Sequence, residues 1–228
     1  MKAVALQAKA AGKDYGGLIA LEPTSLIVHE GERVALIGHN GSGKTTLLRI
    51  AAGLLEPSNG SIEIFDEPAG GLEARRRLSW LSDTPTFYDD LSVVEHLEYI
   101  ARLHEVDEWL AWGQRLLEWL GIHERANDLP TRFSRGLKQK AAIAMALVRP
   151  YDLLLVDEPF VGLDSAGKQA LVELFDDAAS TGATLVVATH ELSFVERVDR
   201  VIALRSGAVV YDGDPKGADV QAMVRQLE

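Results

Sequence analysis

Between Gly38 and Thr46 the chain reads GHNGSGKTT, with three glycines, a lysine and two threonines at fixed spacing. This is G-x-x-x-x-G-K-[ST], a phosphate loop, and it stands between a strand pattern (Val34 to Ile37) and a helical one, the context the motif requires. Gly38, Gly41 and Gly43 let backbone amides turn inward around phosphate oxygens, and the helix start adds favourable potential. Asn40, Ser42 and Thr46 complete the expected nucleotide contacts. Lys44 supplies a point charge to the β- and γ-phosphates of ATP and is a candidate catalytic residue; Thr45 offers a hydroxyl to Mg²⁺. A second stretch, LLLVDEP (Leu153 to Pro159), ends an apolar strand in two acids. At the C-terminal edge of a parallel sheet, where ligands bind, Asp157 would orient the metal and Glu158 would act as general base on the attacking water. A third, FSRGLKQK (residues 133 to 140), brings a hydroxyl, a glycine and a helix start together before an alanine-rich run.

The elements that position these groups are readable from periodicity. The first thirty-odd residues carry short apolar stretches broken by Gly and Pro, as in a small β layer. GERVALIG is a turn and a buried strand, and GKTTLLRIAAGLL a helix with Leu47, Ile50, Ala51 and Leu54 on one face. EPSNG is a turn and SIEIF a strand. From about Arg75 the pattern becomes helical. Ser92 and Glu95 form a capping-box pattern ahead of Val93, Leu97, Ile100 and His104. A second amphipathic run carries Trp109, Leu110, Leu116, Leu117 and Leu120. A third begins at Ser134 and stops before Pro150. LLLV and TLVVA are continuously apolar, as expected of parallel strands covered on both faces, with a helix between them. VIALRSGAVVYDG is a hairpin across Ser206-Gly207, and a short helix is expected to close the chain. The fold expected is α/β: a phosphate-loop NTPase core with a mostly parallel sheet, an N-terminal antiparallel β layer and an inserted helical sub-domain near residues 75 to 150, all in one domain over 1 to 228.

Composition narrows the function. A chain of 228 residues can bury a real core. The net charge of −11 disfavours broad electrostatic binding to nucleic acid, so no nucleic-acid partner is expected. No apolar run approaches a membrane span, and the first residues lack the apolar core of a secretory signal. Without cysteine there is no disulfide framework and no thiolate metal site, which fits the cytoplasm. Membrane association would therefore come through a partner protein.

The order phosphate loop, FSRGLKQK, LLLVDEP, VGLD, VVATH resembles the ATP-binding subunit of ABC transporters over nearly the whole chain. The resemblance implies a pair of such domains, homo- or heteromeric, clamping two ATP head to tail and driving a separate transmembrane permease from the inner face of the cell membrane. FSRGLKQK matches the family signature LSGGQ-x-Q at Ser134, Gly136 and Gln139, which places Ser134 and Gly136 against the γ-phosphate held by the opposite phosphate loop. Arg135 replaces a glycine, and could crowd the phosphate or point to the neighbouring surface. VGLD places Asp164 at the family's dimer seam or, equally, as a helix cap. His190 matches the family's switch histidine, which holds the γ-phosphate and orients the catalytic carboxylate. Tyr15 aligns with the aromatic that stacks on adenine, unless it is a core or turn tyrosine. Asp83 stands where the family usually has Gln, reaching Mg²⁺ through an oxygen, or else is a turn residue before Thr84-Pro85. Phe87 and Tyr88 follow in the region where the family docks a short helix of the membrane subunit, either as an exposed anchor or as packing. The variant signature and the short chain resemble the export branch. A soluble member of the family acting mechanically on DNA or ribosomes is the other reading. It is opposed by the acidic charge and by the lack of long coiled coils or tandem nucleotide domains.

Overall fold

The computed structural model describes residues 3–216, apart from the side chain of Leu192. Two long strands, β1 (Val4–Asp14) and β2 (Ile19–His29), pair antiparallel. After them β3 (Arg33–Ile37) runs into the phosphate loop and α1 (Lys44–Ala51). Then come β4 (Asn59–Ile64), the two-residue β5 (Glu67–Pro68), α2 (Leu72–Arg77) and β6 (Leu78–Leu81). The helices α3 (Val93–Leu103), α4 (Trp109–Trp119) and α5 (Arg135–Leu147) follow. The chain returns to the sheet with β7 (Leu153–Asp157), α6 (Ser165–Ser180), β8 (Thr184–Ala188), α7 (Leu192–Val195), β9 (Arg200–Arg205) and β10 (Ala208–Gly213). The short helix expected to close the chain lies outside the described residues.

Two sheets result. A four-stranded antiparallel sheet has the order β2-β1-β4-β5, and a six-stranded sheet the order β10-β9-β3-β8-β7-β6. In the larger sheet β9, β3, β8, β7 and β6 are parallel, and β10 adds an antiparallel edge. The hairpin joining β9 to β10 turns at Ser206 and Gly207, both with positive φ (49° and 84°), the geometry of a tight two-residue turn. The expected α/β architecture, with a mostly parallel sheet and an antiparallel β layer, is the one found.

Strand alternation explains why the parallel strands read as unbroken apolar runs. Ala35 and Ile37 of β3, Leu154 and Val156 of β7, and Leu185 and Val187 of β8 face the core shared with α3 to α6. Val34, Leu36, Leu153, Leu155, Val186 and Ala188 face the other core, formed with α1 and the antiparallel sheet. Cutting one of these fully buried leucines back to alanine costs about 2–5 kcal/mol.

One element departs from the reading of residues 75 to 150 as helical. Leu78–Leu81 is a strand paired in parallel with β7, at the edge of the larger sheet. Leu78 and Leu81 are buried and the Ser79 hydroxyl donates to Ala146 O at 2.6 Å, so this strand anchors α5 on the sheet. The capping box at Ser92 is present: its hydroxyl accepts from Glu95 N, and Ser92 N donates to Glu95 Oε2 at 2.7 Å.

Candidate active site

Four of the parallel strands deliver the polar residues to one edge of the sheet. β3 ends at Ile37 and leads into Gly38, β6 at Leu81 and leads into Asp83, β7 ends in Asp157 and leads into Glu158, and β8 ends at Ala188 and leads into His190. Parallel strands end on the same side, which is why residues far apart in sequence meet at the C-terminal edge.

The phosphate loop is held from below and behind. Gly43 takes a left-handed φ of 105°, and a β-carbon there would lie 2.8 Å from Ala20 O, so glycine is required for the loop to enter α1. Gly207 N donates to Ser42 O at 3.0 Å, tying the loop to the β9–β10 turn. Lys44 is buried, and its Nζ donates to Gly38 O (2.7 Å) and His39 O (3.3 Å). The same ammonium lies 3.5 Å from Glu158 Oε1, and Glu158 Oε2 lies 3.0 Å from His190 Nδ1. Glu158 holds a positive φ of 45°, uncommon for a residue with a side chain, while its N donates to Ala188 O at 2.9 Å. The neighbouring strand thus holds a strained backbone that turns this carboxylate toward Lys44.

Asp157 is fully buried, and neither carboxylate oxygen has a hydrogen-bond partner among the described residues. Burial is the largest influence on its acidity and pushes it up. Asp83 and Glu158 add to that, against the nearby Thr45 hydroxyl and the Lys44 charge. A dry carboxylate with both oxygens unspent, a threonine hydroxyl beside it and a second acid nearby is a donor set suited to a hard divalent cation such as Mg²⁺. Asp83 itself is exposed and accepts from the Ser82 hydroxyl at 3.1 Å.

A cleft of about 540 Å³ lies over this edge, lined by Asn40 to Thr46, Asp83 and Glu158, with Leu18, Ile19 and Ala20 forming an apolar side. Leu18 and Ile19 were not singled out from sequence. They sit just past the β1–β2 turn and are 71% and 49% exposed. Tyr15 stands on the same turn but is not among the lining residues. It is exposed, with Lys13 Nζ 5.2 Å from its ring centroid.

Ser134, Gly136 and Asp164 do not line this cleft; they form a separate cluster. Ser134 caps α5, accepting from Leu137 N at 3.4 Å, and its side chain is exposed. Asp164 caps α6, accepting from Gly167 N at 2.8 Å, and Lys140 Nζ lies 3.6 Å from the same oxygen. A β-carbon on Gly136 would lie 2.6 Å from Gly162 O, so the start of α5 presses on the turn that follows Glu158.

Of the two aromatics after Asp83, Phe87 is half-buried against the core and Tyr88 is exposed, edge-on to Tyr99 at 5.4 Å. Only Tyr88 fits the expectation of an exposed aromatic. His96 is buried: Nε2 accepts from Tyr88 N at 2.9 Å while Nδ1 faces Ser92 O at 2.8 Å, pinning this loop to α3. Beside the loop runs a groove of about 510 Å³, whose walls include Arg49, Trp80, Thr86, Ile100 and His104.

Comparison with known proteins agrees with this geometry. A family model described as "ABC transporter" matches residues 21–161. The chain is 35% identical over 213 residues to the SkfA peptide export ATP-binding protein SkfE of Bacillus subtilis (strain 168), covering 91% of this chain and 88% of that one. It is 34% identical over 213 residues to the arginine transport ATP-binding protein ArtM of the same organism, covering 90% and 89%. Among solved structures, the ATP-binding cassette MJ0796, in a dimeric post-hydrolysis state bound to ADP and Pi, matches with a TM-score of 0.84 at 26% identity. That match covers 93% of this chain and 100% of that one.

Proposed function

The chain belongs to the ABC transporter family as an ATP-binding, ATP-hydrolysing subunit, and from that premise we propose that two such subunits close head to tail around two ATP to drive export through a separate permease. The observation that carries the catalytic assignment is the unbroken contact from Lys44 through Glu158 to His190 at the sheet edge. In this reading Lys44 and the loop amides hold the β- and γ-phosphates. Glu158 takes a proton from a water whose oxygen attacks the γ-phosphorus, the bond to the β–γ bridging oxygen breaks, and ADP and phosphate leave. His190 holds the Glu158 carboxylate in place and reaches the γ-phosphate. Asp157, Thr45 and Asp83 would hold Mg²⁺, which neutralises phosphate charge when bound. Ser134, Gly136 and Asp164 complete the second copy's site, and Tyr15, Leu18 and Ile19 at the β1–β2 turn offer the base a flat or apolar surface.

The direction we propose is export, in line with the 35% identity to a peptide-export subunit. The permease is assigned to the groove beside Tyr88, where apolar walls and Arg49 can receive a short amphipathic helix. No helix among the described residues is long and apolar enough to cross a membrane. In this reading the permease holds the protein at the inner face of the cell membrane. We further propose that the chain is one ATP-binding unit whose helical sub-domain spans about residues 75 to 150, with α3, α4 and α5 as its helices.

Glu158→Gln tests the scheme. It keeps the phosphate contacts but lacks the base, so hydrolysis should fall by more than about a hundredfold while Mg-ATP accumulates a dimer visible by light scattering. A monomeric Glu158→Gln protein turning over at the parent rate would overturn the assignment.

A further inference from the structure

Arg135 is the residue at which the start of α5 departs most from the family signature, and the structure shows where its side chain goes. It lies along Gly162: a β-carbon on that glycine would stand 3.2 Å from Arg135 Cγ, 3.3 Å from Cδ and 3.7 Å from Nε. Gly162 has a positive φ of 84° and no side chain, so the arginine stem lies directly on the backbone of the turn leading from Glu158 to Asp164. Two more contacts fasten the same surfaces: Gly136 against Gly162 O, and Lys140 beside Asp164. The guanidinium is exposed and makes no ion pair or side-chain hydrogen bond among the described residues. A long cation has been fixed by its stem and left with its charge unspent, next to Ser134.

The nucleotide cleft has the opposite imbalance. Among the described residues, this edge brings Asp83, Asp157 and Glu158 together with one ammonium, Lys44, 3.5 Å from Glu158. Asp83 raises that excess by one negative charge over an amide at the same place, and ATP adds more. Even with Mg²⁺ held there as proposed above, a site with an acid at position 83 carries one more negative charge than one with an amide, and phosphoryl transfer depends on neutralising the phosphate oxygens.

We infer that Arg135 is a phosphate-binding residue in trans: its guanidinium reaches the nucleotide held by the Lys44 loop of a second copy and offsets the negative charge that Asp83 brings to that site. Guanidinium is the side chain best suited to the task, being planar, permanently charged and able to give two parallel hydrogen bonds to phosphate. The inference rests on the head-to-tail pairing proposed above. It adds a phosphate contact that the signature pattern of serine and glycine does not contain.

The test reads the ATP concentration giving half-maximal dimer in the Glu158→Gln background, by light scattering. Arg135→Gln retains most of the stem over Gly162 and removes the charge. It should raise that concentration about tenfold, the weight of a charge-assisted contact, and Arg135→Lys should raise it by no more than about threefold. Made together with Asp83→Gln, the Arg135→Gln effect should shrink below about threefold, because the charge it offsets is gone. Ser134→Ala is the control for the pairing itself. If Ser134→Ala shifts the concentration and Arg135→Gln does not, the arginine has no role in trans and the inference falls alone. If neither shifts it, the pairing falls and takes the inference with it. Equal melting temperatures for parent and Arg135→Gln confirm that the readout is binding rather than folding.

Discussion

The phosphate-loop edge and the start of α5 are both polar and both assigned to phosphate in the function proposed above, yet they are built in opposite ways. At the loop edge the side chains contact one another within the chain: Lys44 is buried against Gly38 O and faces Glu158, which faces His190. At α5, Ser134 and Arg135 are exposed, and their backing is apolar stem and bare glycine backbone. The first region is internally wired. The second is braced from behind and presented outward, the form a surface takes when its partner is another molecule. A two-fold contact between copies is isologous: the loop edge of each meets the α5 start of the other, so each copy supplies one surface of each kind.

The largest effect that can break this contrast comes from the wired side. Lys44→Ala removes the ammonium that faces Glu158 and should lower hydrolysis by more than about a thousandfold. Ser134→Ala on the presented side should be severely impaired as well. The two together are more informative than either. In a head-to-tail pair, mixing Lys44→Ala with Ser134→Ala gives heterodimers with one doubly damaged and one intact site, so activity should recover to about a quarter of the parent at equal amounts if the paired sites act independently. No recovery on mixing means that each chain carries its own complete site, and the contrast drawn here would be mistaken.

A smaller effect tests the bracing. Gly136→Ala would put a β-carbon 2.6 Å from Gly162 O, and backbone on both sides cannot simply rotate away. Overpacking of this kind costs about 1–3 kcal/mol, which in a chain of this size lowers the melting temperature by roughly 2–10 °C. Calorimetry of the variant checks it. An unchanged melting temperature would mean that the start of α5 is free to move relative to the turn after Glu158, so the presented surface is not rigidly tied to the catalytic carboxylate.

These two regions also differ in how far the sequence revealed them. The loop edge is local chemistry: GHNGSGKTT and LLLVDEP carry their residue types at short spacing, and unbroken apolar runs announce the strands that end there. Leu78–Leu81 was absorbed into a helical region because four residues between an arginine-rich helix and a polar loop are too few for a period to register. Its pairing with β7 is a long-range fact. Asp83 was therefore assigned by resemblance, and the structure supplies the physical reason for its position, the end of a parallel strand next to the one ending in Asp157. Leu18 and Ile19 gave no signal because the turn bearing them meets the phosphate loop only through tertiary folding. The direction of Arg135 depends on Gly162, and nothing in FSRGLKQK encodes that contact.

The smallest expected effect concerns Asp164, which the sequence left between helix cap and seam residue. One oxygen, Oδ1, serves both contacts, Gly167 N at 2.8 Å and Lys140 Nζ at 3.6 Å, and those contacts hold its carboxyl below the ordinary range. The side chain is nonetheless 69% exposed, so capping does not use it up. Asp164→Ala loses the cap and should melt roughly 2–4 °C lower. Asp164→Asn keeps an oxygen for Gly167 N and should melt with the parent, since asparagine caps about as well as aspartate. Turnover then separates the roles. With the second oxygen facing a partner, Asp164→Asn should lose about threefold to tenfold in hydrolysis despite its intact stability, as loss of a charged group at an interface does. Parent-like turnover in Asp164→Asn would make Asp164 a cap only, and would confine the presented surface to the start of α5.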